Sequence, residues 1–431
     1  MRRDLLIHLE SWKSHPLRKP LIIRGARQVG KSWLVNEFGK QFETFITINF
    51  EKSPEVNQFF EGGIRIPELL EKLSLYTGEK IIPGKTLLFF DEIQECEKAL
   101  VALRYFKEEH PELHVIAAGS LLDFTIEKLG VAVGRVQFLY LHPLSFGEFL
   151  MVQGREDLRK FIVEQSNDLV IHGLLIDYLK IYFWLGGMPA VVDGWLRFKD
   201  VKICSELQDE IIQSYKQDFQ KYARKHQIDH VEKMFEAIPQ QLGRKFKYTD
   251  VDSDTRSAPL KDALMLLLKA GIAHIVYHSS GQAQPLGATK DLKKFKVFYF
   301  DIGLAQRILG LDLKEWVIQP LEVRHIGAIA EQFVAQEYIA YTSVKSPPEL
   351  YYWHREEKRS NAEVDFLFLK NGMVVPVEVK AGSRGGLKSL AIFLETHLNS
   401  TLGLKISESQ YDTQSKIQNI PFYGVEAWIN A

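Results

Sequence analysis

The stretch Gly25-Ala26-Arg27-Gln28-Val29-Gly30-Lys31-Ser32 constrains the fold more than any other in the chain. It satisfies every fixed position of G-x-x-x-x-G-K-S/T, a loop whose backbone amides cradle phosphate. Leu21-Ile22-Ile23 ahead of it is an apolar run suited to a buried strand, and Trp33, Leu34, Val35 and Phe38 behind it recur at helical spacing. Strand, loop and helix in that order are the context the motif requires. Glycines let the chain turn so that successive N–H groups face phosphate oxygens, and the helix start adds partial positive charge. Lys31 can reach the β- and γ-phosphates, and Ser32 can offer its hydroxyl to Mg2+. The motif therefore reads as a nucleotide site.

Such a loop needs an acid at the same sheet edge. Thr86-Leu87-Leu88-Phe89-Phe90-Asp91-Glu92 supplies one: an apolar strand with two carboxylates at its C-terminal end, where open α/β sheets bind ligands. Asp91 is expected to hold Mg2+, directly or through water, and Glu92 to polarise the attacking water. A strand running into a solvated loop would look the same in isolation; its place after the phosphate loop favours the catalytic reading. A further strand, His114 to Ala118, ends in Gly119-Ser120, where Ser120 would serve as the polar helper between the two motif-bearing strands, or merely turn the chain. Arg135, in Val133-Gly134-Arg135-Val136, is a candidate arginine finger or an ordinary surface arginine.

At 431 residues the chain has room for several domains. Lys and Arg number 54 against 55 Asp and Glu, so no global basic field advertises nucleic acid, and any DNA contact must be local. Cys96 and Cys204 form no C-x-x-C pair, which argues against a disulfide framework or a cysteine-rich zinc site and fits a reducing cytoplasm. Asp4, His8 and Glu10 interrupt the apolar run a signal peptide would need, and no stretch reads as a membrane span. A soluble, cytoplasmic protein without a membrane partner is expected.

Residues 52–80 read as helical with a break at Gly62-Gly63, and Ser145 to about 225 as helical, broken by Gly186-Gly187-Met188-Pro189. Residues 228–280 follow the order helix, turn, helix, strand of a winged helix, mildly basic through Arg244, Lys245, Lys247, Arg256 and Lys261; a small packing domain without nucleic-acid contact fits as well. Lys293-Lys294-Phe295-Lys296 suits either a nucleic-acid backbone or an edge strand protected by lysines.

The last segment reads as a helix, Gly327 to Ala340, a strand at Tyr351-Tyr352-Trp353, another over Glu363 to Leu369, a hairpin turn at Asn371-Gly372 and a return strand, Met373 to Val379. Period-two alternation puts Glu378 and Lys380 on one face. With Asp365 across the hairpin and Glu331 on the preceding helix, these residues can hold a divalent cation and poise a water, or form a cross-strand ion pair.

Residues 1–150, through Gly25–Ser32, Asp91-Glu92 and Gly119-Ser120, resemble the AAA-type branch of P-loop ATPases. The whole layout is similar to a widespread prokaryotic family in which such an ATPase precedes a C-terminal domain of unknown function; Gly186–Pro189, Val297–Leu304 and Glu378-Val379-Lys380 resemble its C-terminal marks. The C-terminal block also resembles the PD-(D/E)xK restriction-endonuclease-like fold, with Asp365, Glu378 and Lys380 at the metal and catalysis positions and Glu331 as the supporting acid. Val364 replaces the motif's proline, and silent forms of that fold exist.

The resulting expectation is an α/β protein: a P-loop domain (1–150), a helical lid or linker (151–226), a winged-helix-like domain (227–285) and a nuclease-like domain (286–431). Its function would be Mg2+-dependent ATP hydrolysis coupled to a DNA-binding or nuclease-like domain, possible as a homo-oligomer. The alternative is an ATP-gated protein-interaction module whose nuclease-like domain is silent.

Overall fold

Five short strands carry the phosphate loop: β1 (Leu21–Arg24), β2 (Thr44–Asn49), β3 (Thr86–Asp91), β4 (His114–Ala118) and β5 (Gln137–Tyr140). They form one sheet of order β2-β3-β4-β1-β5 in which every neighbouring pair is parallel. Parallel sheets need cover on both faces, so their strands are apolar throughout rather than alternating. Every residue of β3 and β4 is accordingly buried. The computed structural model describes residues 2–120, 122–129, 134–282, 284–311, 326–357, 360–381 and 387–431.

The chain divides into two units. The first comprises residues 2–142 with Val344–Pro347. Its helix Leu5–Ser14 buries Leu5, Leu9 and Trp12. The region expected to be helical over 52–80 is a 3-10 turn, Pro54–Phe60, and a helix, Ile66–Thr77. Gly62 and Gly63 between them take positive φ. The second unit spans residues 143–343 and 348–431. It opens with helices Phe146–Val152, Glu156–Val163, Leu169–Leu185, Pro189–Phe198 and Val201–Tyr222. Helices Ile228–Gln240 and Ser257–Lys269 then lead into β6 (Ala273–Ser279) and its antiparallel partner β7 (Lys290–Tyr299). With β8 (Leu350–Glu357) and β9 (Ser360–Val364) they make a sheet of order β7-β6-β8-β9. A second sheet runs β10 (Phe366–Lys370), β11 (Met373–Lys380), β12 (Gly403–Ser407) and β13 (Ile417–Pro421).

The single strand expected over Glu363 to Leu369 is thus two strands in two sheets, and Asp365 is the residue between them. Alternating hydrophobicity runs through the junction unbroken, so the pattern carries no trace of the change of sheet. Asn371 and Gly372 both take positive φ, as the tight turn joining β10 to β11 requires.

Gly186-Gly187 and Asp301-Ile302-Gly303-Leu304 meet in one packing motif. The buried Asp301 carboxylate accepts the Gly187 N–H at 2.7 Å and the Leu304 N–H at 2.9 Å, capping helix Ile302–Ile308. A Cβ on Gly187 would lie 2.2 Å from the Leu144 carbonyl oxygen, so only glycine admits this approach. Met188 and Trp184 are core residues beside it.

Candidate functional site

The phosphate loop takes its shape from three backbone positions. Gly25 has φ +141°, and a Cβ there would sit 2.1 Å from the Leu141 carbonyl oxygen. Gln28 and Gly30 also take positive φ, at 62° and 96°, and helix Lys31–Gly39 begins at the lysine. Arg3, a residue the sequence reading passed over, pins the loop from behind: its guanidinium donates to the Val29 carbonyl at 2.8 Å and the His142 carbonyl at 2.6 Å.

The Lys31 ammonium is buried and donates to the Gly25 and Ala26 carbonyls at 2.9 and 2.7 Å. Burial pushes it down to about 8, against the opposing pull of Glu92 and Asp91. Ser32 Oγ lies 3.0 Å from each Asp91 carboxylate oxygen. Asn49, at the end of β2, donates to the same carboxylate at 3.1 Å, and the Glu92 backbone N–H does so at 3.2 Å. Glu92 itself is left-handed (φ 49°, ψ 46°), and its carboxylate accepts the Gln94 amide at 2.6 Å.

Lys31, Ser32, Asp91 and Glu92 are therefore brought together at the C-terminal edge of the parallel sheet. Ser120 follows β4, which lies between β1 and β3. Arg135 is half exposed and ion-pairs with Glu108 at 2.9 Å; Val133 lies outside the described residues. Among the residues missed, Asn49 had one readable signal: a polar side chain ending an otherwise β-branched run.

A hard cation fits the Ser32–Asp91 pair. Mg2+ takes oxygen donors, keeps several waters and shares the remaining positions with substrate phosphates, and a hydroxyl beside a carboxylate is the set such a site uses. Ser32 and Asp91 would hold it, and it would neutralise charge on the β- and γ-phosphates.

A second cluster of ionisable groups lies in the other unit. Lys296, on β7, is fully buried, its ammonium 2.7 Å from Glu363, 3.3 Å from Glu331 and 3.8 Å from Asp365. Asp365 accepts the Val379 N–H at 2.8 Å, and Lys380 pairs with Glu378. The structure thus gathers Glu331, Asp365, Glu378 and Lys380 and adds Lys296 and Glu363. Burial alone would lower Lys296, but Glu331, Asp365 and Glu363 outweigh it and hold the ammonium above the ordinary lysine value. Burial, with Asp365 nearby, pushes Glu331 up to about 8 and Glu378 up to about 7.

Two ammonium groups already serve the carboxylates, and Glu378 Oε2 is the one buried oxygen of the cluster without a hydrogen bond among the described residues. No group of three or more His, Cys, Asp or Glu among the described residues is disposed to hold a metal ion.

Residues 17–150 match the family model described as an AAA domain. Together with the loop, the parallel sheet and the strand-borne acid, the match makes this region a P-loop ATPase-type domain. Residues 176–315 and 326–424 match two domains of unknown function, DUF8612 and DUF4143. No curated protein matches the chain. Among solved structures it is similar to a Walker-type ATPase of Pyrococcus abyssi, with 17% identity and a TM-score of 0.47 over 72% of this chain and 95% of that one. The ORC1 protein of Aeropyrum pernix in complex with DNA follows, at 11% identity and 0.29 over 72% and 93%. Cdc6p of Pyrobaculum aerophilum gives 15% and 0.26 over 72% and 92%. All three TM-scores fall below 0.5. No helix among the described residues is long and apolar enough to cross a membrane.

Proposed function

We propose that this chain binds and hydrolyses ATP with Mg2+. The observation that carries the reading is the direct pairing of Ser32 Oγ with both Asp91 oxygens at 3.0 Å, beside a loop built around Lys31. Backbone amides of Gly25–Ser32 grip the phosphates, and Lys31 exchanges its two carbonyl partners for β- and γ-phosphate oxygens. Ser32 and Asp91 would hold the metal, Glu92 would orient the water, and Ser120 would face the γ-phosphate. Arg135 belongs to the reading only as a charge a second chain could use, in a homo-oligomer. The test is ATP affinity with and without Mg2+. In wild type the metal should tighten binding, whereas Ser32→Ala and Asp91→Asn should bind ATP equally with or without it. A wild type indifferent to Mg2+ would overturn the assignment.

Nucleotide state would act on the C-terminal unit, whether that unit is a DNA-binding, nuclease-like domain or a silent, protein-interacting one. The placement of the Lys296 ammonium among Glu331, Glu363 and Asp365 supports the silent version. Mg2+-dependent nicking of plasmid DNA that disappears in Asp365→Ala would reverse that preference.

A further inference from the structure

Gln94 stands one short turn beyond the two motif acids and belongs to no pattern that marks the site. β3 ends at Asp91, Glu92 turns left-handed, and the 3-10 turn Ile93–Glu95, anchored by buried Ile93, brings Gln94 back toward the sheet edge. Its amide donates to Glu92 Oε2 at 2.6 Å. Its carbonyl oxygen is buried and has no hydrogen-bond partner among the described residues. That oxygen lies against Gly119, where a Cβ would stand 2.0 Å from it.

These facts are costly together. A buried acceptor left unpaired costs about 1–3 kcal/mol, and a non-glycine residue held left-handed about 1–2 kcal/mol. A leucine or methionine would fill the same space without the first cost. A side chain that holds one catalytic carboxylate with its donor and leaves its buried acceptor unpaired at the same sheet edge suits a role in hydrolysis better than a role in packing.

We propose that Gln94 is a positioning residue for ATP hydrolysis: its N–H fixes the Glu92 carboxylate, and its buried, unpaired carbonyl oxygen accepts a hydrogen of the attacking water. The proposal rests on the ATPase reading above. In the step it serves, the water oxygen bonds to the γ-phosphorus as the bond to the bridging oxygen breaks. ADP leaves with that electron pair, and the water's proton passes toward Glu92. Gln94 fixes the direction in which Glu92 and the water face each other and exchanges no proton itself.

The test compares turnover, ATP affinity and melting temperature in the full chain for wild type, Gln94→Glu, Gln94→Leu, Gly119→Ala and the Gln94→Leu/Gly119→Ala double variant. Gln94→Glu keeps size and shape but replaces the donor with a carboxylate oxygen. It should lose turnover by tenfold or more (roughly the lower end of what a positioned catalytic group contributes) while Kd for ATP holds. Gly119→Ala displaces the flexible end of Gln94, with a lesser contact at 3.1 Å from Leu122 Cγ, and should cost the same. The double variant should be no slower than either single change, because both remove one interaction. The proposal falls if Gln94→Glu turns over at the wild-type rate, if its rate loss equals its loss of ATP affinity, or if Gln94→Leu and Gly119→Ala multiply. Should Gln94→Glu fail to fold, the leucine and alanine arms decide alone. A wild type that binds ATP without Glu92-dependent turnover removes the ATPase reading and this proposal with it. Turnover that needs Glu92 but ignores Gln94 removes only the proposal.

Discussion

Replacing Lys31 with methionine separates a functional lysine from a structural one, because the two roles predict opposite signs. The ammonium is buried, and its drop from 10.5 to about 8 corresponds to roughly 3 kcal/mol held against the charged form. Methionine removes that cost while retaining most of the side-chain volume. Set against it are two hydrogen bonds, to the Gly25 and Ala26 carbonyls. Each has a charged donor and contributes about 1.5–3 kcal/mol net. The balance runs from near zero to about 3 kcal/mol against methionine, so Lys31→Met should stay folded and melt no more than about ten degrees below wild type. Affinity for ATP should behave otherwise. A charge-assisted contact to phosphate contributes about 1.5–3 kcal/mol, which is roughly tenfold to over a hundredfold in Kd. Calorimetric titration with Mg2+ and ATP, alongside a thermal melt, reads both quantities. A variant that unfolds readily yet still binds ATP like wild type would make Lys31 a strut and refute the reasoning.

Three further outcomes follow from buried charges in the C-terminal unit. Burial pushes the Glu337 carboxyl up to about 8 from an ordinary 4.5, while the Phe146 N–H donates to it at 2.9 Å. Its contribution to stability is complete below about pH 4.5 and is lost as pH rises through about 8, because the unfolded chain ionises first. Glu337→Gln keeps the acceptor and never ionises, so its melting advantage over wild type should be absent near pH 4 and grow to a few kcal/mol by pH 8; parallel melting curves across that range would contradict it. Arg159 donates through Nη2 to Glu426 Oε1 at 2.6 Å and through Nε to Oε1 and Oε2 at 3.0 and 3.2 Å, so Arg159→Met should cost about 3–5 kcal/mol. Denaturant midpoints check this, and a change below about 1 kcal/mol would mean the pair is not desolvated. Lys296→Met strands Glu331, Glu363 and Asp365 together and should lower the melting temperature sharply at pH 8 but less at pH 5, well below the value of about 8 to which burial pushes Glu331; an unaltered melt at pH 8 would refute the cluster's electrostatics.

What the sequence disclosed and what it hid follow physical lines. The phosphate loop, the Asp91 strand and the Asn371-Gly372 turn were legible because each depends on residues adjacent in the chain. Lys296 was not. Its neighbours Lys293 and Lys294 suggested a solvated edge, and nothing local distinguishes a lysine that points at three acids contributed by other elements. Asp365 was legible as a residue but not as the junction of two sheets. Arg3 and Asn49 act on the loop and on Asp91 from distant positions, and a single chain carries no sign of such pairings. Gly186-Gly187 and Asp301 are marks of close packing, where backbone meets backbone and carboxylate meets N–H, rather than of chemistry.

The most direct test of the ATPase assignment is single-turnover hydrolysis of radiolabelled ATP by wild type and Glu92→Gln, with bound nucleotide measured in the same samples. The account predicts that wild type converts bound ATP to ADP in the presence of Mg2+, while Glu92→Gln binds as much nucleotide and retains it as ATP. ATP left intact by wild type, or cleaved equally by both proteins, would contradict it.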